Sequence, residues 1–278
     1  MKNLRFFIPA VCDAGAQTLG QHACGMLHIM YHFYTEKSNI SEDTIIITGE
    51  DVNHIKNVLR MKEGEEIIIC DSEGTDYHTR IKSLDRDEVI AEILSSGISE
   101  AEMSFRVHLF QGLPKKDKME MIIQKSVELG VNHIIPVMTK RVIVKLDDKK
   151  KEEAKIKRWQ AISESAAKQS GRGLIPNISG CLSYKEALKL AQDMDVVLIP
   201  YENADNSHEG MKASFDLIKN IPAGSDVAVF IGPEGGFEPG EVEEAISFGA
   251  KPISLGKRIL RTETAGMMLL SVIGFVNS

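Results

Sequence analysis

The stretch Ile231-Gly232-Pro233-Glu234-Gly235-Gly236-Phe237 decides the fold of this chain. It follows an apolar run, 227–230, and precedes a helix-like run, 241–246, so the pattern predicts a strand, a tight turn and a helix. Its three glycines let a ligand approach the backbone closely, because no Cβ atoms stand in the way. Glu234 lies between these glycines at the end of a predicted parallel strand, where open α/β sheets bind ligands.

A second unit of the same kind follows directly. Residues 252–256 predict a strand that ends in Gly256, residues 257–261 predict a loop, and Thr262 or Thr264 is placed to cap a helix. Two glycine-bearing strand ends in succession indicate one composite pocket built largely from main-chain atoms. The first turn is neither a phosphate loop nor a GxGxxG dinucleotide turn. From the residues alone, a ligand-binding turn and a tight turn that needs positive φ remain equally open.

The rest of the chain divides near residue 98, at the polar segment 95–100. After it, predicted strands alternate with helices, which is typical of a mainly parallel α/β sheet covered by helices. Asp117 and Glu120 predict a capping box at the start of the first of these helices, and Gly130 predicts its end. Before the boundary the pattern predicts a β meander that closes into a small barrel, with short strands at 45–47, 66–70, 77–81 and 88–93.

Residues 11–42 do not fit the barrel pattern and are interpreted as a surface insertion. They contain His22, His28 and His32, but no carboxylate or cysteine lies at a matching ligand spacing, so packed histidines are favoured over a metal site. No CxxC pair is present, and we interpret the cysteines as buried thiols of a cytosolic protein: Cys12, Cys24, Cys70 and Cys181. No metal is predicted.

The composition indicates an ordinary globular protein, with 43% hydrophobic and 26% charged residues in 278. The apolar run Met267–Val276 is too short to span a bilayer, and residues 1–7 lack the features of a signal peptide, so we expect a cytoplasmic protein without a membrane segment. The net charge of -7 argues against binding nucleic acid by bulk electrostatics. Residues 1–100 carry a net charge of -8 and residues 101–278 a net charge of +1, so any RNA surface must be a local patch.

Six motifs in register resemble one known family. They occur in the order Arg5-Phe6-Phe7, His54 to Lys62, Lys118 to Val131, Gln169-Ser170-Gly171-Arg172, the turn at 232–236, and Leu255-Gly256 through Arg261-Thr262-Glu263-Thr264-Ala265. Together they resemble the ribosomal RNA small subunit methyltransferase E family, of the SPOUT class. The resemblance covers nearly everything except residues 11–42.

The resemblance implies a PUA-like β-barrel in residues 1–98 and a SPOUT α/β methyltransferase domain with a C-terminal trefoil knot in residues 99–278. Pattern rules alone lead to a plain doubly wound sheet, because knots are essentially absent from proteins. The resemblance also implies a homodimer, a pocket for S-adenosylmethionine (SAM) near its interface, and methylation of N3 of one uridine in 16S rRNA.

The resemblance assigns site residues as well. The cofactor-binding residues it implies are Leu198, Pro200, Ile231, Gly232, Pro233, Gly235, Gly236, Leu255, Gly256, Arg258, Ile259, Leu260, Thr264 and Ala265. SAM carries its own electrophilic methyl group, so the protein has to supply alignment and a means of stabilising a deprotonated uridine. Glu234 is the candidate base, and Arg172 or Arg261 the candidate cation.

Five basic residues are predicted to contact RNA: Arg5, Arg60, Lys115, Arg141 and Arg172. Because the first domain is acidic, we expect recognition of 16S rRNA within an assembled small subunit, whose shape supplies specificity. Three alternatives remain open at this point. They are a SPOUT methyltransferase for another RNA, a non-catalytic RNA-binding protein of the same fold, and a mononucleotide-binding α/β enzyme.

Overall fold

A computed structural model describes residues 31–115, 117–142, 149–201 and 207–277 of the chain. Arg5 and residues 11–30 of the predicted insertion lie outside these ranges. The described residues form two units, each with its own sheet and its own core of buried apolar side chains.

The first sheet is built from short strands rich in isoleucine and valine, which suit a pleated surface buried on one face. Its strands are β1 (His32–Tyr34), β2 (Thr44–Thr48), β3 (Glu66–Cys70), β4 (Thr75–Leu84) and β5 (Glu88–Ile98). Their spatial order is β1-β3-β4-β5-β2, and β3, β4 and β5 form the predicted antiparallel meander. A short helix, α1 (Glu50–Asn53), and a π-helical turn, His54–Val58, place Val52 and Ile55 in the core of this domain.

Strand β1 lies within residues 11–42, for which the pattern predicts a surface insertion. The strand pairs in parallel with β3, and Phe33 is 5% exposed in the domain core. Residues 32–34 of the predicted insertion are therefore an integral part of the sheet. A strand of three residues is too short to give a recognisable alternation, which explains why the pattern did not show it.

The second domain contains the parallel sheet that the alternating pattern predicts. Its strands are β6 (Arg106–Gly112), β7 (His133–Met138), β8 (Asn177–Ile178), β9 (Leu182–Ser183), β10 (Val196–Pro200), β11 (Asp226–Ile231) and β12 (Lys251–Ile253). The order is β12-β10-β11-β6-β7-β8, with β9 paired to β7, and every pairing is parallel. This order brings the carboxyl ends of β12, β10, β11 and β6 together at one edge.

Helices cover both faces of this sheet. They are α2 (Lys118–Glu128), α3 (Lys149–Ser170), α4 (Tyr184–Ala191), α5 (His208–Lys219), α6 (Pro239–Ser247) and α7 (Thr262–Val276). Apolar side chains of α2, α3, α5 and α7 pack on one face, and those of α4 and α6 pack on the other. At the centre of the second face, the rings of Phe110 and Phe230 stack 4.5 Å apart.

Of the two signals predicted at the ends of α2, the stop signal is confirmed and the capping box is wrong. Gly130 follows the helix with φ +93°, a conformation that glycine adopts without strain, so the predicted stop is confirmed. The predicted capping box is wrong, because the Asp117 side chain makes no capping hydrogen bond and its backbone has φ -87° and ψ 11°. At α7 the N-cap is Arg261, so neither Thr262 nor Thr264 caps that helix.

The two domains meet at a hydrogen-bonded contact that we call the junction, formed by residues 70–74 of the first domain and 171–174 of the second. The Cys70 thiol and the Gly74 amide both donate to the Gly173 carbonyl, at 2.6 and 2.9 Å. A Cβ on Gly173 would lie 2.2 Å from that of Ser99, so this close approach requires glycine. The motif 169–172 thus includes the start of the segment that joins the domains.

Among the described residues, no helix is both long and apolar enough to cross a membrane.

Candidate active site

A pocket of about 220 Å³ lies at the carboxyl edge of the parallel sheet, between two chain segments. The first segment is the glycine turn, residues 232–236, which follows β11. The second is the loop of residues 254–261, which connects β12 to α7. The pocket lies where the topology of an open parallel sheet favours ligand binding.

Twelve of the fourteen predicted cofactor-binding residues line this pocket. They are Pro200, Ile231, Gly232, Pro233, Gly235, Gly236, Leu255, Gly256, Arg258, Ile259, Leu260 and Ala265. Leu198 does not line it, because its side chain is fully buried in the core beneath the sheet edge. Thr264 does not line it either, because it lies on the exposed side of the first turn of α7.

Four pocket residues were absent from all the predicted sets: Tyr201, Phe237, Lys257 and Thr262. Each of them directly follows a predicted residue in the chain, so continuing each motif by one position would have found them. Thr262 occupies the place on α7 that the prediction gave to Thr264, since it opens the helix and faces the pocket.

The glycine turn needs its glycines for two different reasons. Gly236 has φ +67°, and its amide donates to the Pro233 carbonyl at 2.9 Å, which closes the turn. A Cβ on Gly232 would lie 3.0 Å from the backbone of Gly236, so the turn folds tightly on itself there. A Cβ on Gly236 would meet nothing within 4 Å, so this backbone borders open space. Gly236 therefore combines a positive φ with backbone that a ligand can reach.

A buried hydrogen-bond chain ties the turn to the start of α7. Gln111, fully buried at the end of β6, donates through Nε2 to Thr262 Oγ1 at 2.9 Å, and Thr262 Oγ1 donates to the Gly232 carbonyl at 2.6 Å. Buried hydrogen-bonded networks fix the relative positions of the segments that they join. Thr262 therefore fixes the position of the glycine turn relative to the start of α7.

Glu234 is held at the edge of the pocket by a backbone amide and a lysine ammonium. Its Oε1 accepts from the Lys115 amide at 3.0 Å and lies 3.2 Å from Lys118 Nζ. Partial burial pushes the pKa of Glu234 upward, but hydrogen bonds from its own amide, the Lys115 amide and the Lys118 ammonium outweigh burial and leave the pKa below its usual range. Glu234 is thus ionised at neutral pH, as a base must be, although a lowered pKa makes it a weaker base.

Arg141 lies against the same turn. Its Nη1 donates to the Gly235 carbonyl at 2.5 Å, and a Cβ on Gly235 would lie 3.2 Å from Arg141 Cδ. The preceding residue, Lys140, donates its amide to the buried carboxylate of Glu241 at 2.8 Å, which anchors the segment. Two of the five predicted RNA contacts, Lys115 and Arg141, therefore border the pocket.

Arg172 lies elsewhere and has a structural role. It is 3% exposed, and its guanidinium is paired with Glu102 and donates to the carbonyls of Val127 and Val131. The two carbonyls lie at the end of α2 and shortly after it, beside the carboxyl-terminal half of α7, whereas the pocket lies at the start of α7. Arg172 does not line the pocket, and its guanidinium is almost fully buried and already paired, so the site provides no contact for it as a cation or RNA ligand.

The other two predicted basic residues that the structure describes are exposed. Arg261 is the N-cap of α7, next to the pocket residues Leu260 and Thr262, and its side chain makes no hydrogen bond or ion pair with the described residues. Arg60 follows the π-helical turn of the first domain and has φ +56°, which is uncommon for a residue with a side chain. Strained backbone of this kind tends to occur at functional sites.

One cluster of possible metal ligands was not visible in the sequence. Donor atoms of His32, Cys70 and Asp76 lie within 4.8 Å of one another on β1, β3 and β4. Local bonds account for this arrangement, since His32 Nε2 lies 3.0 Å from Asp76 Oδ1 and the Cys70 thiol donates to Gly173. Only the strand pairing brings these three residues together, so their sequence spacing carried no signal.

Comparison with known proteins agrees with this architecture. Residues 101–274 match the family model of an RNA methyltransferase domain, and residues 47–94 match that of an RNA methyltransferase PUA domain. A ribosomal RNA small subunit methyltransferase E of Bacillus subtilis is 38% identical over 247 residues, which cover 88% of this chain and 95% of that protein. The chain belongs to the ribosomal RNA small subunit methyltransferase E family.

Solved structures of similar proteins extend the match to three dimensions. The methyltransferase E of Neisseria gonorrhoeae, bound to SAM, is 33% identical with a TM-score of 0.68, over 87% of this chain and 95% of that one. A Legionella pneumophila protein, in complex with SAM as bound cofactor, is 32% identical with a TM-score of 0.68, over 88% and 96% of the two chains. The predicted fold class, a SPOUT α/β domain after a PUA-like domain, is confirmed, and the trefoil knot stays a prediction.

Proposed function

We propose that this protein transfers the methyl group of SAM to N3 of a uridine in the 16S rRNA of the small ribosomal subunit. The observation that carries the proposal is the pocket, in which two glycine-bearing segments at the edge of a parallel sheet expose backbone to one cavity. Family membership and the SAM-bound relatives support the same reading.

The residues of the pocket fit the chemistry of SAM. The backbone of Gly236 and Gly256 can be approached closely by a polar ligand, and because both amides already donate within the chain, the carbonyls are the groups that it offers. Aliphatic side chains of Ile231, Leu255 and Leu260 offer an apolar wall for an adenine ring. When bound, SAM supplies an electrophilic methyl group, so the chain itself has to bind, orient and desolvate the reacting groups.

We propose separate tasks for the polar residues at the pocket edge. Glu234 is ionised and is our candidate acceptor for the uridine N3 proton. Arg261 is exposed next to the pocket and is our candidate for stabilising the anionic ring. Its guanidinium has no partner among the described residues, so it suits this role better than the buried Arg172. If Glu234→Gln retains near-full turnover at unchanged SAM affinity, Glu234 is not the base.

We propose that the RNA contacts lie on both domains, through Lys115 and Arg141 beside the pocket and Arg60 on the first domain. Arg60 follows a π-helical turn on which Val58 is 64% exposed, and π-helical turns are frequent at functional sites. Because residues 1–100 carry a net charge of -8, we infer that the substrate is an assembled subunit rather than naked RNA. We therefore propose that the protein acts in the cytoplasm, where such a substrate would be present.

We also propose a homodimer that uses the outer face of α7. Thr264, Met268, Ser271 and Phe275 share one side of this helix at helical spacing, and Phe275 is 87% exposed. An exposed apolar side chain of this size on a helix without basic residues suits a subunit interface. Sedimentation analysis of the wild-type protein and of Phe275→Asp tests this proposal, which predicts a dimer that the substitution converts to a monomer.

One experiment tests the proposed reaction. Small subunits from a strain that lacks the gene are incubated with the protein and SAM, and their rRNA is analysed by mass spectrometry of nucleosides. We expect one 3-methyluridine per 16S rRNA, with intact subunits methylated faster than extracted rRNA. Methylation of a different RNA or position would support another target. SAM binding without methyl transfer to any ribosomal substrate would support a non-catalytic role.

A further inference from the structure

Lys118, in the first turn of α2, contacts both walls of the pocket at once. Its Nζ lies 3.2 Å from Glu234 Oε1 in the glycine turn and 3.4 Å from Glu263 Oε2 in the first turn of α7. The ammonium therefore spans the gap between the two segments whose relative position defines the cavity. The buried hydrogen bonds of Thr262 connect the same two segments from the inside.

Neither carboxylate has another cationic partner among the described residues. Glu234 also accepts a hydrogen bond from the Lys115 backbone amide, which is a neutral group. The Glu263 side chain is 11% exposed, and its buried Oε2 has the ion pair with Lys118 but no hydrogen bond of good geometry. If the ammonium were lost, two carboxylates would remain close together at the pocket edge, and like charges at this range repel.

We propose that Lys118 is a positioning residue for SAM, because it joins Glu234 and Glu263 and so fixes the glycine turn against the start of α7. This inference rests on the proposed function, since it assigns SAM to the pocket. A cavity with preset walls binds more tightly than one whose walls must be ordered by the ligand. Lys118 touches no pocket surface of its own, so it acts through the two carboxylates.

Lys118→Met and Lys125→Met form a matched pair for the test. Both lysines lie on α2 and both form an ion pair, but Lys125 pairs with Glu128 of the same helix, away from the pocket. Isothermal titration calorimetry should show SAM binding about tenfold weaker for Lys118→Met, a ratio that corresponds to about 1.4 kcal/mol, and unchanged for Lys125→Met. Lys118→Arg, which keeps the charge, should restore most of the affinity.

A further readout separates positioning from a general contribution to folding. In a Glu234→Gln, Glu263→Gln background, Lys118→Met should change SAM affinity less than twofold, because the two neutral side chains no longer repel each other.

Three results would overturn the inference while leaving the proposed function intact. They are wild-type affinity in Lys118→Met, an equal loss in Lys125→Met, and an undiminished loss in the doubly neutralised background. If Lys118→Met does not fold, Lys118→Gln replaces it in the same comparisons. A wild-type protein that binds no SAM at all would overturn the proposed function itself.

Discussion

The pocket and the junction contain similar sequence but differ in what their side chains do. Each combines glycines that permit close backbone approach with nearby arginines. At the junction, Arg172 is 3% exposed and is saturated by Glu102 and two carbonyls. At the pocket, Arg261 is exposed and has no partner among the described residues. A glycine-arginine motif thus indicates an arginine that points in a defined direction. Only its tertiary surroundings show whether its hydrogen bonds are already made within the chain.

The largest expected effect concerns the junction. Arg172→Ala removes the cation from the Glu102 carboxylate, whose side chain is 10% exposed, and one donor from each of two carbonyls. Loss of one member of a buried pair costs about 3–5 kcal/mol of unfolding free energy. Urea denaturation measures this change. Arg80→Ala, which breaks the exposed pair with Glu66, should cost at most about 1 kcal/mol. Equal costs for the two variants would contradict the structural role of Arg172.

The next effect concerns the hydrogen bonds between the pocket walls. Thr262→Val removes the hydroxyl that joins Gln111 to Gly232. One N–H of the buried Gln111 amide and the partly buried Gly232 carbonyl lose this partner, so we expect about 2 kcal/mol lower stability and weaker SAM binding. Thr79→Val is the control, because Thr79 is a buried threonine that donates to the Ile67 carbonyl in the first domain. It should lower stability without changing SAM affinity, and a similar loss of affinity in both variants would argue against a specific link.

A smaller effect concerns the conformation of the glycine turn. Gly236→Ala and Gly224→Ala each place a side chain at positive φ with nothing within 4 Å, so each should cost about 1 kcal/mol of stability. Only Gly236 lines the pocket, so only Gly236→Ala should weaken SAM binding, by about tenfold in a calorimetric titration. If both or neither changed the affinity, the pocket would not be the SAM site.

The smallest effect is on the reactivity of Cys70 at the junction. Burial raises the pKa of its thiol to about 12, so the thiolate is scarce near pH 8 and the alkylation rate should rise with pH toward that value. In the unfolded chain the thiol has its ordinary pKa and reacts rapidly. Peptide mapping after iodoacetamide treatment should show slow labelling of Cys70 in the native protein and faster labelling in Arg172→Ala. Rapid labelling of the native protein would mean that the junction opens readily.

Sequence patterns predicted the elements that have a strong hydrophobic period or that end at a glycine. The meander, the α/β alternation and both pocket segments follow from such patterns, because a strand end and its turn are local features. The resemblance added most of the pocket lining, since its motifs are continuous stretches of chain.

Features that depend on contacts between distant residues could not be predicted in the same way. Strand β1 has three residues and is recognised only by its pairing with β3. Arg172 has the same local sequence whether it faces RNA or Glu102, a residue 70 positions away. The Lys118 bridge joins residues from α2, the glycine turn and α7, so its existence depends on the tertiary fold.

A crystal structure of the protein grown with SAM tests the central claim most directly. We predict one SAM molecule per chain between the glycine turn and the loop 254–261, in contact with the backbone of Gly236 and Gly256. SAM bound at any other place, with both segments free of ligand, would contradict it.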